Sequence, residues 1–136
     1  MGSETNHLKT TIAPMLSVRR GAKAVEFYKR AFDADELFRI ENEKGEVVAR
    51  LSVGAAEFWV ADESPEHWNY SPESVGGGTV RMVLTVENPD VLFHQSVAAG
   101  ATEVWPMGDQ HGWRIGRIAD PFGHHWEIGR PLRQEG

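Results

Sequence analysis

One pattern is written twice along this chain, and that constrains its fold more than any other feature. Met15-Leu16-Ser17-Val18 matches Val83-Leu84-Thr85-Val86 at a spacing of 68 residues, while Gly45/Gly112, Arg50/Arg117 and Trp59/Trp126 pair at a spacing of 67. A repeat of this length carries one supersecondary unit per copy, and each copy needs a neighbour to cover its apolar face. Within 136 residues, two copies leave room for one fused core and short connections.

The order of elements repeats as well. Residues 11–18 read as a β-rich run closed by Arg19-Arg20-Gly21. Residues 22–32 set Val25, Tyr28 (or Phe27), Ala31 and Phe32 on one helical stripe, and Asp33 behind them tolerates a left-handed turn. Residues 36–41, 47–53 and 57–61 then read as strands, with tight turns at Glu43–Glu46 and Gly54–Ala56. In the second copy, residues 79–86 form a strand and Asn88-Pro89-Asp90 opens a helix. Val91, Leu92, Phe93, Val97 and Ala98 make its apolar stripe, Gly100 stops it, and strands follow at 102–105, 113–119 and 124–128.

The expected fold is therefore α+β, with βαβββ modules in tandem at residues 11–63 and 79–131. Each is a curved mixed sheet covered by a helix, and the two sheets set edge to edge form a cup. Residues 1–10 read as a polar leader and 132–136 as a tail. Residues 64–78 hold Pro65, Pro72 and Gly76-Gly77-Gly78, and read as a flexible linker or lid.

Composition narrows the function. Fourteen Lys and Arg stand against twenty Asp and Glu, a net charge of −6, and no basic cluster exceeds Arg19-Arg20. A nucleic-acid partner is not expected from that balance. With no cysteine there is no disulfide, thiolate metal site or cysteine nucleophile. No apolar run is long enough for a membrane helix or a secretory signal, so a cytoplasmic protein without a membrane partner is expected. Neither a Gly-x-x-x-x-Gly-Lys phosphate loop nor a Gly-x-Ser-x-Gly elbow occurs.

The stretch Gly116-Arg117-Ile118-Ala119-Asp120-Pro121-Phe122-Gly123-His124-His125-Trp126-Glu127-Ile128 resembles the end of the vicinal-oxygen-chelate proteins, the superfamily of glyoxalase I, bleomycin-resistance proteins and extradiol dioxygenases. Phe27-Tyr28-Lys29-Arg30-Ala31-Phe32-Asp33-Ala34 is similar to the first-helix signature of that group, with Asp33 where glycine is commoner. Pro14-Met15-Leu16 and Asp62-Glu63 resemble its PhnB-like branch. The resemblance spans residues 11–131 and implies the cup fold, a homodimer and a small-molecule ligand. It also implies a divalent metal held from the first and fourth strands of each module, by His or Gln, Glu, His and Glu. On this chain those positions fall on Ala13, near Val60, on Arg81 and on Glu127. Glu57, the nearest carboxylate to the second position, projects from the opposite strand face, and an arginine cannot coordinate a cation. No metal or other cofactor is expected. Glu127 remains the one possible ligand for the alternative, a metal-dependent lyase, isomerase or dioxygenase.

Alternation along the last strand sends His125 and Glu127 into the cup and turns Trp126 and Ile128 under a helix. Glu127 and His125 are the candidate catalytic residues, an imidazole base oriented by a carboxylate. The plainer reading is a Glu127 neutralised by an ion pair with Arg81, through two parallel hydrogen bonds. His124 and His125 point to opposite faces and do not share an ion. Trp105 and Trp113 read as core, and Trp59 as core or cup wall. Trp68 and Tyr70, in the linker, read as an aromatic lid. Arg81, His125, Glu127, Trp59, Trp68 and Tyr70 are thus the expected ligand-binding residues of a metal-free binder of a small organic molecule. Its acidic balance is expected to favour cationic ligands. A cup filled by side chains, serving only as an interaction module, is the remaining alternative.

Overall fold

Alternating apolar runs and Gly-containing turns build the same unit in each half of the chain. The computed structural model describes residues 7–133, so leader residues 1–6 and tail residues 134–136 lie outside the described residues. The first unit comprises β1 (Met15–Val18), α1 (Gly21–Phe32), β2 (Asp35–Glu41), β3 (Val47–Val53) and β4 (Ala56–Asp62). A single 3-10 turn at Pro65–His67 and the short helix α2 (Pro72–Val75) occupy the connection. The second unit comprises β5 (Arg81–Thr85), α3 (Pro89–Ala98), β6 (Thr102–Gln110), β7 (Trp113–Ala119) and β8 (His125–Pro131). Each forms a four-stranded mixed sheet, in the orders β1-β4-β3-β2 and β5-β8-β7-β6, with the first and last strands of each unit parallel. This is the α+β tandem fold read from the repeat.

Helix α1 explains why the core is shared. Both Phe27 and Tyr28 are buried, so the helix has apolar surface on two sides rather than one stripe. One side meets its own sheet, with the Tyr28 and Phe58 rings 5.3 Å apart. The other meets the second half, where Trp126 lies 4.8 Å from Phe32 and Phe122 lies 6.2 Å from Phe27. Burying one such side chain stabilises a fold by about 1.5–3 kcal/mol, so the cluster joins the halves firmly.

Asp120 is the polar tie within this apolar joint. Its buried carboxylate accepts hydrogen bonds from the Tyr28 hydroxyl, from Trp126 Nε1 at 2.9 Å, and from the backbone N–H groups of Phe122 and His124 at 2.9 and 3.0 Å. Burial raises the Tyr28 hydroxyl pKa well above its ordinary value, and the adjacent Asp120 carboxylate raises it further.

Several local expectations are corrected. Residues 11–14 precede the first strand, because Pro14 has no N–H to give a ladder. The buried line of α3 is Pro89, Phe93 and Ser96, while Val91, Val97 and Ala98 are exposed. Ser96 tolerates burial because its hydroxyl donates to Phe93 O at 2.7 Å. Strands β6 and β8 run past their expected ends, to Gln110 and Pro131. Among the described residues no ladder joins the sheets edge to edge. Instead Met15–Ser17 faces Thr79, Val80 and Met82 across a cavity of 580 Å³. The connection is tied down rather than featureless, since Glu63 accepts from Ser71 N at 2.9 Å and Ser74 Oγ at 2.8 Å, and Ser71 is fully buried.

Candidate functional site

Strand register assembles the site on the face of the second sheet that carries no helix. Arg117 pairs across β7–β8 with Glu127, Val83 pairs across β5–β8 with Glu127, and Trp105 pairs across β6–β7 with Arg117. Side chains alternate along each strand, so these four lie in one row while Trp126, Ile118 and Leu84 turn into the core. Arg81, two residues before Val83, shares that face.

Glu127 is the charge centre of the row. Its Oε2 lies 2.7 Å from Arg117 Nη2 and 3.0 Å from Arg81 Nε. The expected Arg81–Glu127 pair is present, but two guanidiniums converge on one oxygen and the two parallel bonds from Arg81 are not made. Arg81 is 56% exposed, whereas Arg117 and Glu127 are mostly covered. Two cations and one anion leave the cluster with a net charge of +1, opposite in sign to the whole chain.

Beside the cluster lies a cavity of 360 Å³, walled by Val83, Trp105, Trp113 and Ile115 and closed at one side by Arg117 and Glu127. Trp105 is 59% exposed. The tryptophans expected in the core at 105 and 113 therefore stand on the open face, as an apolar wall. Arg117 also borders a smaller hollow of 220 Å³ together with Arg81 and His125.

The remaining candidates are placed elsewhere or differently. His125 borders the smaller hollow, and among the described residues no hydrogen bond joins it to Glu127, so the base–carboxylate pair is not assembled. Trp68 and Tyr70 border the cavity between β1 and β5 rather than the one at Glu127, and Trp68 is 81% exposed. Trp59 lies on the corresponding face of the first sheet. Arg117 was missing from the expected set, although the Arg50/Arg117 repeat and the alternation with buried Ile118 both pointed to it.

The metal positions are also redrawn. Arg50 pairs with Trp59 as Arg117 pairs with Glu127, so Trp59 is the counterpart of Glu127, and Val60 is fully buried beneath the helix face. The Trp59/Trp126 match is overturned, since Trp126 lies in the core. Ala13 is exposed ahead of β1. The four positions thus hold Ala13, Trp59, Arg81 and Glu127, with two guanidiniums on the single carboxylate. These residues do not fit a divalent cation. Among the described residues no three His, Asp or Glu side chains gather where they could hold one.

Known proteins resemble this chain in sequence and fold. The model of the Glyoxalase/Bleomycin resistance protein/Dioxygenase superfamily matches residues 6–128. An uncharacterized protein of Mycobacterium bovis is 38% identical over 133 residues, covering 94% of this chain and 88% of its own length. Among solved structures, TioX from Micromonospora sp. ML1 is 29% identical with a TM-score of 0.70, covering 90% of this chain and 100% of its own. The fosfomycin resistance protein FosX from Listeria monocytogenes shares the fold at a TM-score of 0.70 and 11% identity, covering 92% of this chain and 95% of its own. Two tandem βαβββ modules and a match across nearly the whole length agree: the chain belongs to the glyoxalase/bleomycin resistance protein/dioxygenase superfamily.

Proposed function

We propose that the protein binds a small organic molecule, without a metal, in the cavity on the bare face of its second sheet. One observation carries this reading: the 360 Å³ hollow is walled by two tryptophans, while its only carboxylate among the described residues is held by two arginines. A concave, mostly apolar site with a few convergent polar groups suits a small ligand. The arginines occupy Glu127 and thereby block the coordination that metal-dependent relatives of this fold would need. The names of TioX and FosX, the latter a fosfomycin resistance protein, belong to those proteins.

A homodimer belongs to the same proposal. Leu37, Phe38 and Ile40 stand exposed on β2, an edge strand, and Met15 is exposed on β1. An open edge and an apolar patch of this kind suit a second copy of the chain as their cover. Placement in the PhnB-like branch rests on Pro14-Met15-Leu16 and Asp62-Glu63. A cytoplasmic location completes the proposal, and cell fractionation checks it.

A thermal-shift screen of uncharged and charged aromatic compounds tests the binding reading, because a ligand raises the melting temperature as its concentration exceeds its Kd. Some compounds should stabilise the wild type and lose that effect in Trp105→Ala. Zinc or manganese should leave the melting temperature unchanged. Stabilisation by a metal that disappears in Glu127→Gln would overturn the metal-free reading. Sedimentation should give twice the 15.2 kDa chain mass at micromolar concentration.

A further inference from the structure

The ligand's charge class follows from how the guanidiniums are used. Resting on the binding reading above, we infer that the cavity takes an aromatic monocarboxylate, its ring between the tryptophan walls and its carboxylate on Arg117 and Arg81. Both arginines spend one nitrogen each on the same oxygen of Glu127. Among the described residues no acceptor meets Arg81 Nη1 or Nη2, or Arg117 Nη1. Guanidinium donors are arranged in a planar fork that matches a carboxylate, and charge-assisted bonds of this type are the stronger ones.

Position and charge agree. Arg117 borders both the tryptophan-walled cavity and the hollow that holds Arg81, so an acid lying across it would put its ring in the first and its oxygens toward the second. One added negative charge brings the Arg81–Arg117–Glu127 cluster from +1 to zero. A cation meets two guanidiniums and is repelled, whatever the −6 charge of the whole chain. A phosphate dianion overshoots to −1 and has no use for the apolar walls. Trp105 and Trp113 offer aromatic faces, which flat rings cover best.

Isothermal titration with naphthoate, its neutral isostere naphthamide, naphthylmethylammonium and inorganic phosphate tests the inference. Naphthoate should bind about 10- to 100-fold more tightly than naphthamide, the range expected for hydrogen bonds to a charged group. The ammonium compound and phosphate should bind more weakly than naphthoate. Arg117→Gln should bring naphthoate down to the level of naphthamide, and Arg81→Gln, at a more exposed position, should lower it in the same direction. Glu127→Gln should do the reverse and tighten naphthoate about 5-fold, because it removes a competing anion. That opposite sign separates a binding role from a structural one, which would weaken binding in all three variants. The inference is overturned if naphthamide or the ammonium compound matches naphthoate, if Glu127→Gln weakens naphthoate, or if no probe binds at millimolar concentration. In the first of these cases the binding reading still stands, provided that Trp105→Ala abolishes the binding seen. In the last, the wider thermal-shift screen judges that reading on its own.

Discussion

The bare faces of the two sheets carry the same row of side chains with one exchange. Reading each sheet from its second strand to its first, the rows are Phe38-Arg50-Trp59-Met15 and Trp105-Arg117-Glu127-Val83. An aromatic ring, an arginine and an apolar end are common to both. The third position differs, and it decides what the arginine does. Arg50 sits 5.6 Å over the Trp59 ring, whereas Arg117 bonds the Glu127 carboxylate at 2.7 Å. In both halves the arginine Nε is buried without a hydrogen-bond partner among the described residues. The first row also lacks a second cation, because Ala13 stands where the second half has Arg81. One sheet therefore presents a half-exposed row in which the arginine lies over a ring, and the other a charged cluster beside a cavity.

The halves also differ on their helix-covered side, at the turn before the last strand, and the largest expected effect lies there. Asp120→Ala would leave the Tyr28 hydroxyl, the Trp126 indole N–H and two backbone N–H groups without their acceptor, inside a core that excludes water. Denaturant unfolding should show a loss of about 3–5 kcal/mol, the range for orphaning several buried donors at once. The corresponding first-half turn, Gly54-Ala55, holds no such hub, so Ala55→Ser should change stability by less than about 0.5 kcal/mol. Equal losses at both turns would mean that the halves are not joined through Asp120.

That same turn limited what the sequence could reveal. The run from Arg50 to Trp59 is one residue shorter than the run from Arg117 to Glu127, and a slip of one residue moves a side chain to the other face of its strand. Placed by the spacing of 67, the counterpart of Glu127 became buried Val60, and the spacing of 68 restores Trp59. Strand alternation was enough to aim Glu127 and Arg81 at each other, because parallel neighbours keep their register locally. The repeat with Arg50 and the alternation with Ile118 put Arg117 on that face as well, but its contact with Glu127 depends also on the antiparallel register of β7 with β8. The size of their rings makes Trp105 and Trp113 read as core. Their strands, however, point them at a face that carries no helix.

The row comparison itself is sharpened by removing its arginines. Arg117→Ala should cost about 2 kcal/mol, less than the loss for a fully buried pair because water reaches the cluster. Glu127→Gln should cost less, since the amide oxygen still accepts from Arg117, and Arg81→Ala, half exposed, about 0.5 kcal/mol. Arg50→Ala should cost about 0.5–1 kcal/mol, the scale of an exposed cation–ring contact. Unfolding midpoints measured in one buffer rank the four. An Arg50 loss larger than that of Arg117 would break the assignment of the charged row as the tighter one.

Tyr28→Phe probes the joint with a smaller effect of about 1 kcal/mol, one hydrogen bond, and adds a pH signature. The raised Tyr28 pKa means that the folded state holds its proton more tightly than the unfolded chain. That contribution is complete below the ordinary tyrosine value of about 10 and is lost as pH rises beyond it. Wild-type stability should thus fall more steeply than that of the variant above that pH. Parallel alkaline profiles would remove Tyr28 from the joint.

Exchanging the divergent position makes the smallest change and tests the comparison most directly. Trp59→Glu places a carboxylate next to Arg50 in the register that Glu127 holds next to Arg117. For Arg50 the ring contact, about 0.5–1 kcal/mol, is replaced by an exposed ion pair of similar size, so the net loss should be about 0.5 kcal/mol, that of the half-exposed edge contact between the Phe38 and Trp59 rings, 6.0 Å apart. Arg50 already has Glu57 at 3.7 Å, and a second carboxylate brings that cluster to −1, so the variant should gain sensitivity to salt. Unfolding at low and at high ionic strength reads this directly: added salt should affect the variant more than the wild type. A loss above about 2 kcal/mol, insensitive to salt, would instead mark Trp59 as an anchor in a buried contact between copies. The first row would then serve assembly, and its likeness to the second would be a matter of backbone register alone.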